Sequence, residues 1–159
     1  MGFQTTVNVK QPYGIVGEMH DSSVKRVTAY DLGADCTIGK PAYRIAASGK
    51  VTDTYASGTA AEFLGVFVNP KEYVINDGSL AATLVMKKEN GAAAQVASLG
   101  HINVVAKVAV KAGDPAYYND GWVKTAGTAS ATVDGAKKGV FITDAGAGEV
   151  TTIAIDVVA

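Results

Sequence analysis

Ile102-Asn103-Val104-Val105-Ala106-Lys107-Val108-Ala109-Val110-Lys111 decides the fold class. Ile102, Val104, Ala106, Val108 and Val110 share one parity, while Asn103, Lys107 and Lys111 take the other. A period of two is the mark of a half-buried strand, with one face on a core and one in water. The reading predicts that Ile102, Val104, Val108 and Val110 face the core, and that Asn103 and Lys107 do not. Gly113-Asp114-Pro115 then turns the chain.

Similar short runs extend outward in both directions. Downstream, Ala116 to Tyr118 and Trp122 to Lys124 flank Asn119-Asp120-Gly121, a hairpin signal. Val140 to Thr143 and Val150 to Val157 follow, joined by the turn-rich Asp144-Ala145-Gly146-Ala147-Gly148. Thr125 to Gly135 reads as a flexible loop or hairpin tip. Upstream lie Phe3 to Val9, Val24 to Tyr30, Ala42 to Ala46, Val51 to Tyr55, Glu62 to Val68 and Tyr73 to Ile75. Ser79 to Lys88 suits a short helix capped by Ser79 or a buried strand; strand neighbours on both sides favour the strand. About ten short strands at regular spacing predict an all-β antiparallel sandwich or barrel.

The first thirty residues differ. Gln4, Asn8, Gln11, Pro12, His20, Asp21 and Ser22 stand among few large apolar groups. The division expected is an extended N-terminal arm over residues 1–30 and a β-sandwich domain over 31–159, against the alternative of an ordinary edge strand.

Composition narrows the function. Among 159 residues, 14 basic and 15 acidic groups leave a net charge of −1. No basic face for nucleic acid is expected from that balance. No stretch nears the roughly 20 apolar residues of a membrane span, and no signal peptide is read at the start. Synthesis in the cytoplasm, with any exit by a route other than secretion, follows as an expectation. Charged residues make up 18%, below the usual level of about 25%. A low-charge surface suits a protein covered by partners.

Chemistry is thin. His20 and His101 make no metal-ligand spacing, and the lone Cys36 reads as inert packing. Ser22-Ser23-Val24-Lys25 matches a four-residue Ser-x-x-Lys pattern, without the accompanying Ser-Asp-Asn or Lys-Thr-Gly. Turn chemistry accounts for Asn76-Asp77-Gly78 and Asn119-Asp120-Gly121 without calcium. No catalysis, metal or cofactor is expected. Tyr117, Tyr118 and Trp122 cluster on one hairpin, as an interface anchor, a sugar-stacking platform or a core corner. The platform reading supports a rival function, a carbohydrate-binding or adhesive β-module.

Several stretches together resemble the cement, or decoration, proteins of tailed bacteriophages. They are Met1-Gly2-Phe3-Gln4-Thr5-Thr6-Val7-Asn8-Val9, Ile38 to Ile45, and Glu62-Phe63-Leu64-Gly65-Val66 onward to Lys71. Gly100 to Val104 with Ala112 to Tyr118, and Gly139 to Val150, complete the set. The resemblance implies a jelly-roll-like sandwich on the outside of a virion, clamping neighbouring major capsid protein subunits and associating with itself. A homodimer is expected first and a trimer second. Interface residues are then expected along the arm at Phe3, Gln4, Thr6, Asn8, Tyr13 and Ile15, and on the hairpin at Tyr117, Tyr118 and Trp122.

Overall fold

The fold is given by a computed structural model that describes residues 14–20, 24–69, 85–88 and 93–157. It is nearly all β, with no α-helix among the described residues. In chain order the strands are β1 (Arg26–Asp31), β2 (Cys36–Thr37), β3 (Pro41–Ile45), β4 (Val51–Thr52), β5 (Ala60–Phe67) and β6 (Val85–Met86). Then come β7 (Ala93–Val105), β8 (Pro115–Tyr118), β9 (Trp122–Val123), β10 (Gly139–Phe141) and β11 (Val150–Asp156). One antiparallel sheet runs β4-β3-β5-β7-β11-β10-β8-β9, with β1 on β7 and a separate β2-β6 pair.

The deciding stretch lies in β7, but the strand starts nine residues earlier than its alternation announces, at Ala93 rather than Ile102. Ala93-Ala94-Gln95-Val96-Ala97-Ser98 carries little strand propensity of its own. Pairing on both edges overrides that, with β1 on one side and β5 on the other. Small residues are needed there because β5 comes very close. A Cβ on Gly65, whose φ is +147°, would lie 2.0 Å from the Ala97 carbonyl oxygen.

The far end of the expected strand needs correction. Ile102, Val104, Ala106 and Val110 are buried as predicted, but Val108 is 36% exposed. The strand ends at Val105 and the chain bends at 107–108, which turns Val108 to solvent. Three backbone bonds fix the bend: Ala106 N–H to Glu149 O, Lys107 N–H to Trp122 O, and Val110 N–H to Ala145 O. Asn103, expected in water, is buried too. Its Oδ1 accepts from Thr152 Oγ1 at 3.0 Å on the opposite face of β7 from Ile102 and Val104.

Residues 14–20 cover that side. Gly17 N–H donates to Asn103 O, Asn103 N–H to Glu18 O, and His20 N–H to His101 O, at 2.7, 3.0 and 2.8 Å. Met19 thereby bridges Ile102 antiparallel. This strap lies on one edge of the C-terminal half of β7, while β11 pairs with the same half. The expected boundary between residues 30 and 31 falls inside β1, because Val27 to Asp31 pair without a break with Ala97 to Ala93.

Two apolar clusters form the core. One gathers Val66, Ile102, Val104, Trp122, Phe141, Ile153 and Ile155. The other gathers Leu32, Cys36, Ile38, Val51, Phe67, Met86 and Val96. The runs Phe3 to Val9 and Tyr73 to Ile75, Asn76-Asp77-Gly78, and residues 79–84 of the helix-or-strand segment lie outside the described residues; Val85 and Met86 of that segment are strand.

Candidate functional site

Catalysis needs titratable side chains gathered in one place. Among the described residues no group of three His, Cys, Asp or Glu side chains could hold a metal ion. Cys36 is fully buried and donates weakly to Ala34 O at 3.3 Å. Burial, helped by the nearby Asp53 carboxylate, pushes its thiol up to about 12, so the thiolate is absent at neutral pH. Burial likewise raises the phenols of Tyr43 and Tyr118. Asp35 is fixed from the β6 side: the Lys87 ammonium and the Lys88 N–H both bond its carboxylate and hold it below its ordinary range. Ser22 and Ser23 of the Ser-x-x-Lys pattern lie outside the described residues.

The expected hairpin is present, and its indole points inward. Tyr118 pairs with Trp122 and Tyr117 with Val123 across a three-residue turn, with φ of +50° at Asp120 and +140° at Gly121. Trp122 is only 2% exposed and packs with Val104, Phe141 and Ile153. Its Nε1–H donates to Gly39 O at 2.7 Å, which ties the hairpin to the turn between β2 and β3. Tyr118 meets the indole edge-on at 5.4 Å, and Tyr117 is half-buried. The core-corner reading therefore holds for Trp122, whose ring has no free face for a sugar or a partner. Two clefts adjoin the hairpin. One of about 410 Å³ runs between Val16, Ile38, Val105 and Trp122; the other, of about 370 Å³, lies among Tyr43, Asp53, Tyr55, Tyr118 and Asp134.

The arm residues divide. Phe3, Gln4, Thr6, Asn8 and Tyr13 lie outside the described residues. Ile15 lies on the strap and is 57% exposed.

A further exposed surface lies within the span expected for the arm. β1 is exposed along Arg26, Val27, Thr28, Ala29 and Asp31, with only Tyr30 half-buried. Val24, just before it, is 80% exposed, and Val27 40%. β1 pairs with β7 alone, so its second edge carries no strand among the described residues. The run Val24 to Tyr30 is visible as a strand in the sequence. That it buries neither face is not visible there, since exposure depends on which strands stop short of it.

The chain has recognisable kin. The model of the phage structural cement protein family matches residues 3–156. No curated protein matches the chain. Among solved structures, one chain from "The capsid of Myoviridae Phage XM1" is similar, at 16% identity and a TM-score of 0.61. The likeness covers 98% of this chain and 98% of that one. At that identity it speaks to the fold.

Proposed function

Because this chain belongs to the phage structural cement protein family, we propose that it sits on the outside of a phage head and holds neighbouring major capsid protein subunits together. The family match over residues 3–156 carries the reading. The protein works without catalysis or cofactor, is made in the host cytoplasm, and acts as a homodimer in preference to a trimer. A clamp of this kind needs surfaces rather than an active site. Each contact is weak, but two contacts held at fixed spacing make the second binding event intramolecular, which raises the strength of the whole.

The arm is the first contact. Gln4, Thr6 and Asn8 offer side-chain hydrogen bonds, and Phe3, Tyr13 and Ile15 apolar contact, in a sequence suited to strand addition on a partner's sheet. Ten extended residues reach at most about 35 Å, enough to cross to an adjacent subunit.

The test is add-back. Purified protein mixed with capsids that lack it should co-sediment to a fixed stoichiometry and raise the temperature at which the shells open. No saturable binding at any concentration would overturn the reading. Deleting residues 2–13 leaves in place the strap's backbone bonds to β7, so circular dichroism and melting should hold while capsid binding falls sharply.

A further inference from the structure

β1 is an anomaly for a monomer. Six residues form a strand that buries neither face and, among the described residues, pairs on one edge only. An open edge bearing exposed valines is a template for another strand. The backbone shows which groups it offers. Val68 N–H donates to Gln95 O at 2.9 Å, so Gln95 faces β5. Hydrogen-bonding direction alternates along a strand, so Ala94 and Val96 face β1, where their partners are Tyr30 and Thr28. Val27, Ala29 and Asp31 therefore turn their amides and carbonyls outward.

We propose that this edge is the homodimer interface, and that two copies join β1 to antiparallel β1 about a two-fold axis through Thr28. The inference rests on the reading of the chain as a self-associating cement protein, and names the surface it uses. Symmetry, edge chemistry and charge pick the register together. A two-fold axis normal to the sheet sets one residue opposite itself; an axis through Thr28 or through Ala29 sets outward groups against outward groups, and of the two only the Thr28 register places Lys25 rather than Val27 opposite Asp31. The side chains then match without further adjustment. Thr28 faces Thr28, Val27 faces Ala29, Arg26 faces Tyr30, and Lys25 faces Asp31. Each is a favourable cross-strand pair, and the last sets opposite charges together twice per dimer. Val27, exposed in the monomer, comes against the partner's strand. The result is a sheet continuous across two copies, which presents each copy's strap and arm at a fixed spacing.

Cross-linking tests the register. Thr28 would be a non-hydrogen-bonded pair with Cα atoms about 4.5 Å apart, inside the span a disulfide bridges. Under mild oxidation of the full chain, Thr28→Cys should give a covalent dimer about tenfold more readily than Val27→Cys, which faces Ala29 rather than itself. Cys36, being buried, contributes no background. A charge swap is the second arm. Lys25→Asp and Asp31→Lys should each weaken the dimer in sedimentation, and the double variant should restore it. Equal cross-linking at both positions, or a double variant no better than either single one, in a chain that still sediments as a dimer, would overturn β1 pairing and leave the edge to a capsid strand. A wild-type chain that stays monomeric at every concentration overturns the dimer as well. Co-sedimentation of that same chain with capsids reports separately on the cement reading.

Discussion

Val104 and Val108 look equivalent in the sequence and are opposites in the fold. Val104 is fully buried on β7, while Val108 sits in the bend beyond it. Val104→Asp places an unpaired carboxylate in the core and should cost about 4 kcal/mol or more, enough to unfold a marginal domain. Val108→Asp should stay within about 0.5 kcal/mol, as surface changes do. Urea titrations of both variants check the pair; equal losses would contradict the bend. Alternation gave away Ile102, Val104, Ala106 and Val110 because a regular strand repeats every two residues. It failed at Val108 because Ala106 and Val110 are held by different partners, Glu149 and Ala145, across a kink no local pattern records. Cys36 offers a pH test. Its pKa is raised on folding from 9.0 to about 12. A raised acid contributes stability below the unfolded value and loses it as pH climbs between the two. The melting temperature should therefore drift down above pH 9, and Cys36→Ala should remove the part of that drift below pH 10, above which the raised Tyr43 and Tyr118 phenols add their own. Thiol reagents at neutral pH should label the thiol at the rate of unfolding.

At the scale of elements, turn signals were the most legible features, because their chemistry is local. Asn119-Asp120-Gly121 makes its hairpin with the backbone angles those residues favour. Less legible was the loop from Lys124 to Lys138. Its Ala, Gly and Thr content announces a flexible tip, yet distant groups pin it. Ser57 N–H donates to Ala131 O at 2.9 Å. Lys138, buried to its ammonium, pairs with Asp134 and lies over the rings of Phe63 and Tyr43, at 4.7 and 5.7 Å. Asp134→Ala should cost about 3–5 kcal/mol, because a buried cation is left with rings alone. Adding Lys138→Met should recover much of that loss in the same melt, since the cost is the stranded charge rather than the missing contact. β2 went unseen for a related reason. Two residues, Cys36 and Thr37, become a strand only because Met86 and Val85 arrive from far along the chain.

For the whole molecule, the all-β class was open to inspection because punctuated short runs are a global pattern. The family likeness was readable for the same reason, being spread over most of the chain. That the expected arm ends in an exposed sheet edge was not, since β1 becomes an edge only through what the other strands do. One arrangement has a mechanical meaning. The strap and β11 lie on opposite edges of the same stretch of β7, both antiparallel to it and hence parallel to each other. The chain enters at the start of one and leaves at the end of the other. Tension between residues 14 and 157 therefore slides two ladders lengthwise, so that all their hydrogen bonds bear the pull at once. Tension between residues 14 and 147 instead peels β11 away from its first residue, one bond after another. In single-molecule stretching the first direction should rupture at a clearly higher force than the second. A protein strained along the line joining residues 14 and 157 thus meets the load where it is stiffest, as a lap joint resists pulling but not prying.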